Sequence, residues 1–224
     1  MKALFNPEGV LFSIAEKIGN LMILNFLYII CCLPIFTIGP ATIAMHAVAL
    51  KLATDEEEGI LMPFLRSFRL NFKQGLLVGL ILTATGIFLA FDLYYIYQLM
   101  MTGGIIDMAV FVIVLVSCLV YLIASIYVYP MLAKFDNTTK QTFKTAALLA
   151  VRHLPATVCM LVIGVAPVIM LLYTPTTMAI ALMFYMLLGF AAVAMLQGKF
   201  MIRIFLQYIP REESAEEDAI LEAE

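Results

Sequence analysis

The feature that most constrains this chain is an uncharged run from Leu154 to Gly198. One helical crossing of a bilayer needs about 20 mostly apolar residues, so this run is long enough for two, joined by a tight turn at Tyr173-Thr174-Pro175. Two more runs have the same character. Gly75 to Phe91 carries no charge and stays aromatic through Tyr97 after Asp92, and Met108 to Ala133 is uncharged and ends near Pro130. A soluble core cannot use such runs, because a soluble domain needs a polar skin with about 25% charged residues. Here apolar residues make up 64% of the 224 and charged residues 13%. The expected fold is therefore all-α, a polytopic membrane helix bundle with about five transmembrane helices and amphipathic cytoplasmic helices. Residues 1–205 read as one transmembrane domain and residues 206–224 as an acidic, disordered cytoplasmic tail.

The net charge of −3 hides a basic fringe. Seven of the sixteen acids lie between Glu212 and Glu224, and four more form the run Asp55, Glu56, Glu57, Glu58. The four cysteines, Cys31, Cys32, Cys118 and Cys159, sit inside apolar runs without metal-ligand spacing and read as small buried side chains. The first apolar run lacks a small-residue cleavage site and reads as a retained helix.

That first run, Ile18 to Leu50, is broken by Pro34, Gly39 and Pro40. Proline removes a backbone donor and disfavours helix in the residue before it. The expectation is one crossing over about residues 18–36, a break at 33–40, and a short helix to about Ala53. Broken helices in transporters present free backbone groups to solutes, so Asn25, Pro34, Thr37, Gly39 and Pro40 form one candidate solute site. The plainer alternative is a turn at the interface.

Lysine and arginine set orientation. Lys51, Arg66, Arg69 and Lys73, then Lys134, Lys140, Lys144 and Arg152, then Lys199, Arg203 and Arg211 all fall on one face if there are five crossings. The loops at about 98–106 and 173–177 carry no cation. This predicts a cytoplasmic C-terminus and an external N-terminus. A re-entrant hairpin over 18–50 would move the N-terminus inside.

The cytoplasmic segments are patterned. Thr54 and Glu57 fit a capping box. Phe64, Phe68 and Phe72 recur every four residues, with Arg66, Arg69 and Lys73 on another face, as in a helix lying in the headgroup layer. Residues 139–153 form a second amphipathic stretch, with Lys140, Lys144 and Arg152 polar and Phe143, Ala147 and Val151 facing inward. Together Phe64, Arg66, Phe68, Arg69, Phe72, Lys73, Lys140, Lys144 and Arg152 are candidates for docking a partner, the alternative being topological anchoring.

Motifs for catalysis are absent. No GxGxxG or GxxxxGK[ST] occurs, and two histidines, His46 and His153, exclude HExxH. Asp92 and Asp107 flank the external loop and read as interfacial and capping groups. No catalytic residue, metal, cofactor or nucleic-acid partner is expected. Gly75, Gly79 and Thr83, and Ala194 with Gly198, have the small-xxx-small spacing of close helix packing, within the fold or in a homo-oligomer.

The stretch Leu24-Asn25-Phe26-Leu27-Tyr28 through Cys32-Leu33-Pro34-Ile35-Phe36-Thr37-Ile38-Gly39-Pro40-Ala41-Thr42 resembles the YesL family of bacterial membrane proteins. So do the segment Phe64-x3-Phe68-x2-Asn71-Phe72-Lys73-Gln74 and the pair Tyr129-Pro130 followed by Phe135. The resemblance reaches to about residue 205. It implies an inner-membrane protein of unestablished biochemical function, of a group often encoded beside carbohydrate ABC importers and glycoside hydrolases. Residues 139–155 are loosely similar to the loop by which ABC permeases contact their ATPase, though the Glu-Ala-Ala-x3-Gly signature is missing. The expected function is an accessory component of ABC-type sugar import, with the bilayer and transporter components as partners. The alternatives are a channel or transporter for a small polar solute, and an intramembrane enzyme.

Overall fold

A computed structural model of the protein describes residues 10–54, 59–100, 105–135 and 137–208. These residues are helical and contain no strand, as the apolar runs require. In chain order they form α1 (Val10–Cys32), α2 (Ile38–Ala53), α3 (Leu61–Leu70), α4 (Phe72–Met100), α5 (Ile105–Lys134), α6 (Thr139–Arg152), α7 (Leu154–Tyr173), α8 (Pro175–Phe184) and α9 (Phe190–Phe205). One π-helical turn, Tyr185–Gly189, joins α8 and α9 into a single rod.

Five stretches among the described residues are long and apolar enough to cross a membrane: Ile14–Cys32, Ile35–Ala53, Phe72–Leu99, Asp107–Lys134 and Pro175–Phe205. The expected number is borne out, but the set differs. Residues 35–53, expected as a short helix after the break, meet the test themselves. α7, a 20-residue uncharged apolar helix, turns away from α6 by 105° at His153, and counting that bent pair gives a sixth. The turn at Thr174 is as expected. Its hydroxyl accepts the backbone N–H of Thr177 (3.1 Å), capping α8 where Pro175 begins the helix.

α2 is the centre of the bundle. It packs against α1, α3, α4, α5 and α9, and 67% of its span is buried, against 22% or less for each of the other four. Small residues make this possible. A Cβ on Gly39 would run into the backbone of Gly75 and lie 2.7 Å from the Cα of Gly79; one on Gly79 would lie 2.6 Å from the Cα of Gly39. The Gly75/Gly79 pair therefore serves the fold itself, letting α4 touch α2 backbone to backbone. In lipid, where no hydrophobic effect drives helices together, such close packing is a main source of association.

α1 folds back along α2. The Tyr28 and Thr42 hydroxyls lie 3.5 Å apart, and Leu21 and Leu24 share a buried cluster with Ala44, Val48, Ala49 and, from α3, Phe64. The start of α1 and the end of α2 therefore lie at the same end of the bundle. This corrects the expectation of a single crossing over residues 18–36 that leaves the two ends of the run on opposite sides. The hairpin also stops short of the far end of α4. Beyond Gly79, α4 continues to Met100, about 30 Å further at 1.5 Å per residue, whereas the hairpin ends within about one turn of Gly39. Its tip is apolar and open, with Leu33 76% and Ile35 73% exposed.

Two outcomes check this arrangement. Gly79→Ala should cost about 2–3 kcal/mol of stability through backbone overpacking, read by thermal unfolding in detergent. Gly198→Ala, whose Cβ would meet Leu50 at an ordinary 3.5 Å, should be near neutral. In a cysteine-free background, Glu16→Cys and Lys140→Cys should react with an impermeant maleimide from the same side of the membrane. Labelling from opposite sides would disprove the returning hairpin.

Candidate functional site

The five residues around the helix break do not assemble into one solute site. Pro34 is extended (φ −77°, ψ 117°) and turns the chain. Thr37 closes the turn. Its hydroxyl lies 2.6 Å from the carbonyl oxygens of both Cys31 and Pro34, and its N–H donates to Pro34. These bonds satisfy carbonyls left open at the end of α1. Pro40 falls in the first turn of α2, where its missing N–H costs nothing. Gly39 meets α4. Asn25 faces the other way: it is fully buried, its Nδ2 donates to the carbonyls of Tyr185 (2.9 Å) and Met186 (3.0 Å), and its Oδ1 accepts the N–H of Ala191 (3.2 Å). A π-turn disturbs the regular backbone ladder, and Asn25 supplies partners at that place. None of the five residues lines either of the two cavities described below.

The docking candidates separate into two groups. On α3, Phe64 is fully buried. Phe68 stacks on it (6.3 Å between centroids) and Phe72 meets Phe68 edge-on (5.6 Å). Phe64 seals α3 onto α1 and α2 and is removed from any contact surface, while Phe68 and Phe72, the latter at the start of α4, are half-buried. Arg66, Arg69 and Lys73 remain exposed, as do Lys140 and Lys144 on α6. Arg152 is also exposed, with its guanidinium 5.5 Å above the ring of Tyr208, while His153 Nε2 and the Tyr208 hydroxyl are 3.0 Å apart. These contacts tie the α6–α7 elbow to the end of α9.

α6 is rotated relative to the expected inward face. Thr142, Ala146, Leu149 and Ala150 are buried, Ala147 and Val151 are exposed, and Phe143 is half-buried. A threonine occupies the core position because its hydroxyl donates to the Thr138 carbonyl (3.1 Å). A capping box unforeseen from sequence starts this helix, with the Thr138 N–H donating to Gln141 Oε1 at 3.2 Å. The expected Thr54–Glu57 box, the run Asp55–Glu58 and the acidic tail beyond Tyr208 lie outside the described residues.

At the end of the bundle that carries the cations lies a cleft of about 1170 Å³. Its walls are the end of α2 (Ala47, Lys51), residues Gly59 to Pro63 with Arg66, Ser67, Leu70 and Asn71, Gln74 of α4, and Leu132 to Phe135 at the end of α5. Gln74 Nε2 donates to the Asn137 carbonyl (2.7 Å) and pins the loop after α5 to α4. Phe135 in turn packs edge-on against Phe205 of α9 (4.9 Å). Lys51, Arg66 and Lys134 line the cleft together. Of these only Arg66 stands out in the amphipathic pattern; Lys51 and Lys134 are visible in sequence as cations at helix ends, but their meeting across the chain is not.

Residues 21–93 match the model of a family described as "Protein of unknown function, DUF624". The matched stretch holds most of α1, all of α2 and α3, and most of α4. It thus contains the glycine crossing and most of the cleft. Over 144 residues the chain is 29% identical to "Uncharacterized protein YteU" of Bacillus subtilis (strain 168), covering 64% of this chain and 63% of that one. Over 157 residues it is 26% identical to "Uncharacterized protein YesL" of the same organism, covering 69% and 71%. The resemblance to YesL is borne out. The YteU match spans less than two thirds of that protein's length. No solved structure matches.

Replacing Asn25 by Leu leaves two carbonyls and one N–H of the α8–α9 rod without their partner. The expected loss is about 1–3 kcal/mol, read as a lower unfolding temperature in detergent. An unchanged temperature would mean the π-turn holds itself.

Proposed function

We propose that the protein is an accessory component of ABC-type carbohydrate import in a bacterial plasma membrane, acting without catalysis by holding a cytoplasmic segment of a transporter component. The coarser conclusion, a multi-pass membrane protein related to proteins of unknown function, rests on the five apolar stretches and the family match. The observation that carries the docking reading is the cleft. It is large, and Lys51, Arg66 and Lys134 line it beside exposed apolar groups, Leu61, Met62 and Leu70. Such a lining suits a helix with acidic and apolar residues on adjoining faces. The cations gathered at this end support a cytoplasmic location for it by the positive-inside rule. The carbohydrate link is supported by the resemblance to the YesL family.

Affinity purification from native membranes in mild detergent tests the reading. A subunit of a carbohydrate ABC importer should co-purify. Arg66→Glu combined with Lys134→Glu should lower its recovery about tenfold, equivalent to 1.4 kcal/mol of binding, with the unfolding temperature unchanged. Absence of any importer subunit, or equal recovery with the double variant, would overturn it.

A further inference from the structure

Six polar side chains are buried among the described residues: Asn25, Thr37, His46, Thr142, Thr157 and Gln197. Five of them are tied to the backbone by hydrogen bonds, including Thr157 to the Ala150 carbonyl (2.9 Å) and Gln197 Nε2 to the Met160 carbonyl (3.2 Å). His46 is the exception. It is 6% exposed, its ring stacks on Tyr129 with 6.4 Å between centroids, and its Nδ1 has no hydrogen-bond partner. A buried polar atom without a partner is costly and calls for an explanation.

Nδ1 is itself sealed from open space, but the rest of the ring borders one. His46 lines a cavity of about 370 Å³ between α2, α7, α8 and α9, within the usual range for small-ligand sites. Gln197 also lines it, and with Nε2 engaged its Oε1 is left as an acceptor. Gly164 makes the room, since a Cβ there would sit 3.0 Å from Gln197 Nε2. The π-turn contributes Tyr185 to the wall, in keeping with the frequent placement of such turns at functional sites. The mouth is apolar: Val168 and Leu182, at its edge, are 48% and 47% exposed on the flank of long apolar helices.

We propose that this cavity binds a single-chain membrane amphiphile, its hydroxyl or carboxyl head bonded to His46 and Gln197 and its alkyl chain leaving between Val168 and Leu182. A ligand entering through an apolar mouth comes from the bilayer and must be apolar over most of its length. Inside, the open edge of the imidazole offers one nitrogen, donor or acceptor by tautomer, and the Gln197 carbonyl an acceptor. A hydroxyl or a protonated carboxyl pairs with such a set. A free sugar would lose its hydration at the mouth and find too few partners within. This site is separate from the basic cleft and shares no lining residue with it.

The test uses the full chain in liposomes of phosphatidylethanolamine and phosphatidylglycerol, with a diazirine-bearing, alkyne-tagged stearic acid as probe. After irradiation, labelled peptides are mapped by mass spectrometry. Label should concentrate on the peptides around Gly164–Val168 and Phe190–Gln197, and excess unlabelled stearate should displace it while glucose should not. Gly164→Leu, which fills the cavity, should lower labelling there about tenfold while label near Tyr94 stays constant. If that variant does not fold, Val168→Trp closes the mouth from an exposed position and should do the same. His46→Phe should weaken competition by stearate several-fold. Label spread evenly over all outward faces and insensitive to these variants would overturn the proposal in favour of lipid lying on the surface only. Displacement by glucose would overturn it in favour of a soluble solute.

Discussion

The meeting of α2 and α4 at Gly39, Gly75 and Gly79 is the contact on which the rest of the bundle depends. It brings two backbones together with no side chain between them. That closeness lets a helix of small residues occupy the centre, where α1, α3, α5 and α9 also reach it. With α2 fixed there, α1 has a wall to fold back on and α3 a surface to cap through Phe64. The far half of α4 is then left to pair with α5. There Gly86 again makes room, since a Cβ on it would lie 2.6 Å from the hydroxyl of Tyr121. Since apolar side chains gain little from leaving lipid, such fitted contacts bear more of the stability than buried area does.

Polar satisfaction is the second constraint. At membrane depth each free backbone or side-chain polar group is costly, and the bundle answers mostly with short local bonds. Thr37, Thr85, Ser117, Ser125 and Thr142 each donate to a carbonyl three to six residues back. Asn25, Gln197 and the Tyr127–Thr157 pair (2.7 Å) instead join elements distant in sequence. These distant bonds decide which helix faces which. Tyr127 and Thr157 set α5 against α7, and Gln197 sets α9 against α7.

Run length and charge placement made most of the elements legible, because crossing a bilayer demands both. The phenylalanine and arginine stripes of α3 were legible as an amphipathic helix, though not which stripe would be covered. The break at Pro34 was legible as a break. Its sense was not, because proline marks a stop in the same way whether the chain then proceeds or returns; Gly39 finding Gly79 decides that, and no local pattern announces it. The inward face of α6 is rotated from its apolar pattern because Thr142 looks polar until its hydroxyl bonds within the helix. The π-turn had no signal in Tyr185–Gly189 itself. Its partner, Asn25, lies in sequence beside the helix break, and nothing local links it to a turn some 160 residues away. The cleft shows the same limit: Lys51, Arg66 and Lys134 come from three separate segments, and only the fold places them around one space.

The hydrogen bonds of Asn25 also bear on how the chain is made. α1 leaves the ribosome early, whereas Tyr185, Met186 and Ala191 are synthesised some 160 residues after Asn25. Until then the amide has no native partner. The hairpin must therefore enter the bilayer with a provisional contact, such as water, a headgroup or a chaperone, and give it up when the α8–α9 rod arrives. Completion of the α8–α9 rod thus becomes a checkpoint for α1. A chain that stalls before residue 191 carries an exposed polar mark of its incompleteness, of the kind that membrane quality-control machinery can read.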